Sequence, residues 1–291
     1  MRRLAHISDL HFGRVDEAAV EGLIDELNAE RPDLVVASGD FTMRARNSEF
    51  VAARAFLDRL KSPWLGVPGN HDITPYHLIQ RFFDPFRRYR LHIHPDIEPV
   101  WIDEQVAVIG LNTARRWAPE FNWSHGRIGR EQIARTEALL RGLPRHLFKV
   151  IVAHHPFLPP PWDEDARIVG RAKEALAAFE RLGVGLALAG HLHRGYSRFV
   201  EPIIRHDTVA GAVTKPPEET TSRRLLVVQA GSATSTRLRN EPNAYNHITI
   251  EEGRATVEAR VWTGTGWACA AEAVRAGSLP DHGAWARAEP A

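Results

Sequence analysis

Five short polar segments, each placed where an apolar run ends, constrain the fold of this chain more than any other feature. The apolar runs have the composition of buried strands, so the polar segments should lie at strand ends. Their carboxylate, amide and imidazole groups suit two borderline or hard divalent metal ions. The segments are Asp9-Leu10-His11, Gly39-Asp40, Gly69-Asn70-His71-Asp72, His154-His155 and Gly190-His191-Leu192-His193.

The order of strand, polar segment and helix occurs three times near the beginning of the chain, which predicts an α/β fold with its site at the carboxyl ends of the strands. Asp16 and Ser48 are the predicted caps of the first two helices. Further along, we expect a short helix over 81–90, a hairpin at 100–102 and 106–111, helices over 130–143 and 171–182, strands at 150–153 and 184–189, and a final all-β part with strands at 198–204, 224–229, 247–251 and 255–262.

Composition narrows the function classes. With 291 residues and 44% hydrophobic content the chain can bury a large core, and a net charge of +1 gives no global basic field for nucleic acid or an anionic membrane. The single cysteine, Cys269, excludes an intramolecular disulfide and leaves histidines and carboxylates to bind any metal. No composition break marks a second domain. We therefore expect one domain over 1–278 and a flexible tail over 279–291.

The chain has no apolar run of the roughly 20 residues that a membrane helix requires. Its N-terminus lacks a hydrophobic signal core, so we expect a cytoplasmic protein. The segment 207–223 is predicted to be an exposed loop. A segment of small residues, Gly231 to Ser235, followed by Arg237 and Arg239, either closes over the site or forms an ordinary turn.

Strand geometry predicts how the candidate ligands share the ions. In an extended strand end, residues i and i+2 face the same side, so Asp9 and His11 could reach one ion, and His191 and His193 could do the same. His154 and His155 should point to opposite faces, so that only one of them coordinates a metal. The strand end favours His154.

The ordered segments, with His154-His155-Pro156-Phe157, resemble the calcineurin-like metallophosphoesterase superfamily over residues 1 to about 250. Within it, the chain is most similar to bacterial phosphodiesterases of the cyclic-nucleotide (class III) type. This resemblance implies an αββα sandwich, in which two mixed β-sheets are flanked by helices. It also implies a division of ligands: Asp9, His11 and His193 for one ion, Asn70, His154 and His191 for the other, and Asp40 for both.

The resemblance further implies two divalent ions, and the ligand types suit Mn, Fe or Zn alike. A bridging carboxylate can hold two ions roughly 3.5–4 Å apart. The neutral amide of Asn70 keeps the negative charge of the site low, which favours an anionic substrate. The implied reaction is in-line attack of a metal-bridging hydroxide on a small phosphodiester, such as a cyclic nucleotide.

Several neighbouring residues have two interpretations each. His71 could protonate the leaving group or stabilise a phosphoryl oxygen, or it could simply pack against its loop. Asp72 could orient an imidazole or cap the following segment, and His155 could support a ligand or face the substrate. Arg44 and Arg46 could bind a phosphate oxygen or be solvated.

The alternatives are a phosphomonoesterase, a nucleotide-sugar or lipid pyrophosphatase of the same superfamily, and a non-catalytic scaffold. A small-molecule phosphoester is the expected partner, without membrane or nucleic acid, and a homodimer is compatible with the sequence. A monoester dianion would profit from fixed cations beyond the metals, for which Arg44 and Arg46 are the candidates. We therefore expect a preference for diesters.

Overall fold

In a computed structural model the described residues are 1–117, 124–200, 224–239 and 241–276, and they form helices and strands that alternate through most of the chain. The bounds are β1 Arg2–Ile7, α1 Glu17–Glu30, β2 Leu34–Ala37, α2 Asn47–Asp58, β3 Trp64–Gly66, a 3-10 helix Asn70–Asp72, α3 Leu78–Phe83, α4 Arg87–His92, β4 Val100–Ile102, β5 Val106–Gly110, α5 Arg130–Gly142, β6 Phe148–Val152, α6 Ala172–Arg181, β7 Val184–Ala189, β8 Tyr196–Phe199, β9 Leu226–Gln229, β10 Ala244–Glu251, β11 Arg254–Trp262 and β12 Trp267–Ala276.

The strands form two six-stranded mixed sheets. The first has the order β12-β11-β10-β1-β2-β3, and the second has the order β4-β5-β6-β7-β9-β8. Strands β1, β2 and β3 are parallel, as are β5, β6, β7 and β9, whereas β10, β11 and β12 of the first sheet and β4 and β8 of the second pair antiparallel with their neighbours. The parallel strands therefore end at one edge of each sheet, which is where the polar segments follow them.

Alternation of side chains along the strands builds four layers. In β1, Leu4 belongs to the apolar cluster between the two sheets, whereas Ala5 and Ile7 belong to the cluster under α1, α2 and α4. The second sheet is covered on its outer face by α5 and α6, through a third cluster that includes Leu140 and Phe179. The αββα sandwich implied by the resemblance is confirmed.

The two predicted helix caps have different outcomes. Asp16 caps α1 as predicted, because its carboxylate accepts hydrogen bonds from the N–H groups of Ala18 and Ala19. The predicted Ser48 cap is wrong, since α2 begins after Arg46. The Glu49 carboxylate, from within the first turn, accepts the backbone N–H of Arg44 at 2.8 Å and of Arg46 at 3.1 Å.

One predicted helix and one predicted strand also differ from the structure, and one strand was not predicted. The expected helix over 81–90 is two helices, α3 and α4, and the strand expected at 198–204 begins earlier, as β8. Strand β12 was not predicted, because its alanine-rich sequence has low intrinsic strand propensity. Its antiparallel pairing with β11 supplies the backbone hydrogen bonds that the local sequence does not indicate.

The loop predicted at 207–223 and the tail predicted at 279–291 lie outside the described residues, and the domain bounds stay a prediction. Within the described ranges, no helix combines the length and the apolar character that crossing a membrane requires.

Candidate metal centre

The ligand segments leave their strands in left-handed turns rather than in extended conformation. The φ angles are 51° at Asp9, 53° at His11, 54° at Asp40, 79° at His191 and 58° at His193. The geometric reason predicted for ligand sharing is therefore wrong. Asp9 and His11 do meet in one cluster, but His191 and His193 are divided between two clusters.

Asp9, His11 and His193 form the first cluster, in which their ligand atoms lie within 4.8 Å of one another. Asp9 Oδ1 is 3.6 Å from His11 Nε2 and 3.4 Å from His193 Nε2, and the two imidazole nitrogens are 3.2 Å apart. The side chains of Asp9 and His11 are fully buried, and that of His193 is nearly so. Three potential ligand atoms thus converge from two distant parts of the chain.

Backbone carbonyls select the nitrogen that each imidazole presents. His11 Nδ1 lies 3.4 Å from the carbonyl of Thr42, and His193 Nδ1 lies 3.2 Å from the carbonyl of Arg237. A carbonyl only accepts, so each Nδ1 carries the hydrogen and each Nε2 presents a lone pair to the cluster.

His154 is the centre of the second cluster. Its Nε2 is 3.2 Å from Asp40 Oδ2 and 3.1 Å from Asn70 Oδ1, while its Nδ1 donates to the carbonyl of Ser38 at 2.8 Å. The His191 ring lies with its centroid 5.2 Å from that of His154. Ligand atoms of His154, His155 and His191 lie within 4.8 Å of one another.

The two carboxylates are oriented in the same way. Asp9 Oδ2 accepts the backbone N–H of His191 at 2.8 Å, and Asp40 Oδ1 accepts the backbone N–H of His71 at 2.8 Å. Each carboxylate therefore keeps its other oxygen for the clusters. Asp40 Oδ2 lies between the clusters, 3.8 Å from His11 Nε2 and 3.2 Å from His154 Nε2.

The pKa values of the clustered side chains reflect how close these groups lie to one another. Burial acts to raise the pKa of Asp40, but the positive charges of His154 and His71 outweigh it and hold that pKa well below its usual range. Burial acts to lower the pKa of His154, and the Asp40 carboxylate reverses this and raises it to about 9. Burial, aided by the charge of His154, lowers the pKa of His191 to about 3. A bound cation would replace these mutual contacts.

His155 lies beside the second cluster with both ring nitrogens engaged. Nε2 donates to the carbonyl of Ser124 at 2.9 Å, so Nδ1 accepts from the Thr113 hydroxyl at 2.8 Å. Burial and the neighbouring charge of His191 lower its pKa well below the usual range, which keeps the ring neutral. The centroid of its ring lies 4.7 Å from that of His191, so His155 packs against this imidazole.

Asp72 ties two ligand loops together. Its buried carboxylate accepts the backbone N–H of Gly69 at 2.9 Å, of Thr42 at 3.0 Å and of Phe41 at 3.3 Å, and the Thr42 hydroxyl at 2.9 Å. Burial and the nearby Asp40 charge raise its pKa to about 7. Its role in the structure is to join the loop after β2 to the 3-10 helix, rather than to orient an imidazole.

His71 is half-buried and borders the first cluster, with its ring 4.9 Å from that of His11 in an edge-on contact. Its Nδ1 donates to the carbonyl of Met43 at 2.6 Å, so Nε2 is the nitrogen left for chemistry. Arg237 Nη1 lies 3.4 Å from this Nε2.

The structure places Arg44 and Arg46 differently from Arg237. Both are exposed, and the side chain of Arg46 lies 4.0 Å from Glu49. Arg237 follows the small-residue segment Gly231 to Ser235. That segment packs against the first ligand loop, where Ser232 Oγ donates to the carbonyl of Asp9 and Thr234 Oγ1 to that of Leu10. Its position directly after a buried strand was the signal for this role.

The residues present fit metal ions. Asp9 Oδ1 is buried and has no hydrogen-bond partner. The two nitrogens that face it, His11 Nε2 and His193 Nε2, present lone pairs and therefore cannot donate to it. A buried carboxylate oxygen without a donor is unfavourable unless a cation satisfies it. The ligand set of imidazole nitrogens with carboxylate and amide oxygens suits a divalent transition metal.

Comparisons with known proteins agree with this geometry. The sequence profile of the family described as calcineurin-like phosphoesterase matches residues 2–195. One curated relative, the glycerophosphodiester phosphodiesterase GpdQ of Enterobacter lignolyticus, is 44% identical over 80 residues, which cover 24% of this chain and 29% of that protein. Another, the probable glycerophosphodiester phosphodiesterase GpdQ of Arcobacter nitrofigilis, is 27% identical over 169 residues, which cover 56% of this chain and 58% of that protein. The chain thus matches less than two thirds of the length of either relative.

Solved structures share the fold at low sequence identity. A dimetal phosphatase from Danio rerio superposes with a TM-score of 0.63 at 13% identity, covering 95% of this chain and 98% of that one. Purple acid phosphatase PPD1 from yellow lupin superposes with a TM-score of 0.60 at 16% identity, covering 89% of this chain and 51% of that one. The profile match spans well over half of the sequence, and the chain belongs to the calcineurin-like phosphoesterase family.

Proposed function

We propose that this chain is a metal-dependent phosphodiesterase that hydrolyses small-molecule phosphodiesters. The observation that carries the proposal is the convergence of ligand atoms from both sheets on the unpartnered carboxylate oxygen of Asp9 and on Asp40 Oδ2. Family membership supports phosphoester hydrolysis, and the names of the two curated relatives support diesters, with glycerophosphodiesters as the first candidates.

Two ions are assigned to the clusters in this proposal. One ion would be held by Asp9, His11 and His193, the other by Asn70, His154 and His191, and Asp40 would contact both. Bound there, divalent ions would supply Lewis-acid polarisation of the phosphoester and activation of a water nucleophile. The carbonyls of Thr42, Arg237 and Ser38 keep the Nε2 lone pairs of His11, His193 and His154 directed into the clusters.

His71 is assigned to proton transfer. Its Nδ1–H is committed to the carbonyl of Met43, so a proton held at Nε2 is the one that can pass to the leaving alkoxide. The backbone N–H of His71 donates to Asp40, which fixes the ring beside the proposed metal ligands. This arrangement supports a role for His71 as a general acid at the edge of the clusters, where it need not coordinate an ion.

Arg237 weakens the preference for diesters that was expected from charge. Arg44 and Arg46 were the cations considered in the sequence, but the side chain of Arg237 contacts His71. A fixed cation at this place would also favour a monoester dianion. Support for a diester substrate therefore comes from the similarity to the two GpdQ phosphodiesterases rather than from charge.

A matched substrate panel tests the proposal. The purified protein, loaded in turn with Mn, Fe or Zn, is assayed with a bis-aryl phosphodiester, the corresponding aryl monoester, cyclic nucleotides, glycerophosphodiesters and nucleotide sugars. We expect a higher kcat/KM for the aryl diester than for the monoester, and turnover of at least one glycerophosphodiester. A higher kcat/KM for the monoester, or turnover of nucleotide sugars alone, would overturn the phosphodiesterase assignment.

A further inference from the structure

The guanidinium of Arg237 is an uncompensated positive charge beside the candidate metal centre. Its Nη1 contacts His71 Nε2 at 3.4 Å and Met43 Sδ at 3.9 Å, and neither atom is anionic. In the described part of the chain, no carboxylate oxygen lies within 4.0 Å of this guanidinium. A half-buried cation without a carboxylate partner is available to bind an anion.

Two arginines that follow the proposed ligand His193 in the chain have carboxylate partners. Arg194, directly after the proposed ligand His193, lies 2.8 Å from Glu241 and stacks with its guanidinium carbon 3.9 Å from the Trp162 ring centroid. Arg198 lies 2.9 Å from Glu164. The contrast shows that Arg237 is not a typical structural arginine of this region.

The backbone of Arg237 is anchored independently of its side chain. Its carbonyl accepts from His193 Nδ1 at 3.2 Å, and its N–H donates to Ser235 Oγ at 3.0 Å. The preceding residue, Thr236, donates its N–H to the carbonyl of Arg14 at 3.1 Å. Because the backbone is held by the site itself, binding of a ligand by the side chain does not require the backbone to become ordered.

We infer that Arg237 is a substrate-binding residue whose guanidinium holds a non-bridging phosphoryl oxygen next to His71, so that a charged donor and the general acid act on the same phosphoryl group. The inference rests on the proposed function. Binding exchanges the long contact with His71 Nε2 for a charge-assisted hydrogen bond to an oxyanion, which leaves Nε2 free to carry its proton.

The test compares Arg237→Met and Arg237→Lys with Arg239→Met, a matched control that removes an exposed arginine from the same segment. Metal content is measured by elemental analysis, and inorganic phosphate binding to the metal-loaded protein by calorimetry. We expect Arg237→Met to keep its metals, because the carbonyl that supports His193 remains. Its phosphate Kd should rise about 10- to 100-fold, the range for loss of a hydrogen bond to a charged group. Arg237→Lys should recover part of this loss, and Arg239→Met should match the wild type.

Kinetics adds a second readout. Arg237→Met should lose more kcat/KM with an aryl monoester dianion than with the matched diester, because the monoester carries one more negative charge. An unchanged phosphate Kd in Arg237→Met, an equal loss in Arg239→Met, or loss of metal would overturn the inference. If the wild type turns over no phosphodiester, the proposed function fails, and an Arg237-dependent phosphate Kd would still support the inference.

Discussion

At the residue scale, the site depends on which nitrogen each histidine presents. Backbone carbonyls hold the Nδ1 atoms of His11, His71, His154 and His193. The ordered segments predicted that these side chains lie together, but the spacing wrongly grouped His191 with His193. They could not predict the tautomers, because a carbonyl acceptor can come from any residue that the fold brings near.

The first prediction concerns His71. His71→Ala should retain its metals, because the proposed ligands are untouched, and lose roughly 10²–10⁴-fold in rate if the ring supplies a proton to the leaving group. The loss should be larger for alkyl leaving groups than for nitrophenolate, which barely needs protonation. Rate measurements over a leaving-group series check this. Equal losses across the series would remove the general-acid role and leave only electrostatic positioning.

At the element scale, the strands and helices of the first part were predictable because their apolar periodicity is strong. The turns after the strands were not. Left-handed backbone at an aspartate or a histidine costs about 1–2 kcal/mol per residue and is not apparent in a sequence pattern. Hydrogen bonds between loops hold these turns, as between the N–H of Asp9 and the carbonyl of Gly39 at 3.1 Å. The residue types that gather in the clusters were predictable, whereas the path of the backbone required tertiary contacts.

The second prediction tests how closely two ligand turns approach. A Cβ atom on Gly69 would lie 2.1 Å from Asp40 Oδ1 and 2.4 Å from Asp40 N. Gly69→Ala should therefore displace Asp40, lower the metal content and destabilise the fold by about 1–3 kcal/mol. Gly142→Ala, at the end of α5 with no atom within 4 Å of the added Cβ, is the matched control. Elemental analysis and urea unfolding of both variants decide it, and normal metal content in Gly69→Ala would contradict the steric argument.

The third prediction concerns the pH dependence of the stability that His6 in β1 contributes. His6 is fully buried between the sheets, with Nε2 2.9 Å from Ser38 Oγ and Nδ1 3.3 Å from Asn246 Nδ2. Burial lowers its pKa to about 3, against an opposing effect of Asp9. The pKa of a histidine in an unfolded chain is about 6.5. Between about pH 3 and pH 6.5, His6 is therefore protonated in the unfolded chain and neutral in the folded one. The stability that neutral His6 contributes is complete above about pH 6.5 and is lost as the pH falls towards 3.

His6→Gln should accordingly flatten the fall in unfolding free energy between pH 6.5 and pH 4, by up to about 1.4 kcal/mol per pH unit. Urea unfolding of the wild type and of His6→Gln, at a series of pH values and at one metal concentration, measures the difference between their free energies of unfolding. The contributions of the other titrating groups are common to both proteins and cancel in this difference. Parallel curves for the two proteins would show that His6 is not the group responsible.

At the scale of the whole molecule, the candidate centre joins the two sheets. Asp9, Asp40 and Asn70 follow strands β1, β2 and β3 of the first sheet, whereas His154 and His191 follow β6 and β7 of the second. Local periodicity predicted the strands but not their division between sheets, because sheet membership depends on pairings between distant segments such as β1 with β10. Ions bound by both sets of ligands would link the sheets at this end of the sandwich.

The last prediction follows from this link. Ions that bind the folded chain and not the unfolded one stabilise it by about 2.7 kcal/mol at a concentration of 100 times Kd, which corresponds to a rise in Tm on the order of 5 °C. Chelation should reverse the rise. Asp40→Ala should lose both ions and most of the response to metal, because Asp40 is proposed to contact both.

Asp58→Ala, which removes an exposed carboxylate from α2, is the control and should respond as the wild type does. Thermal unfolding across a metal titration, with elemental analysis, measures both effects. Two ions per chain in Asp40→Ala, or a Tm of the wild type that does not depend on metal, would contradict a shared centre that joins the sheets.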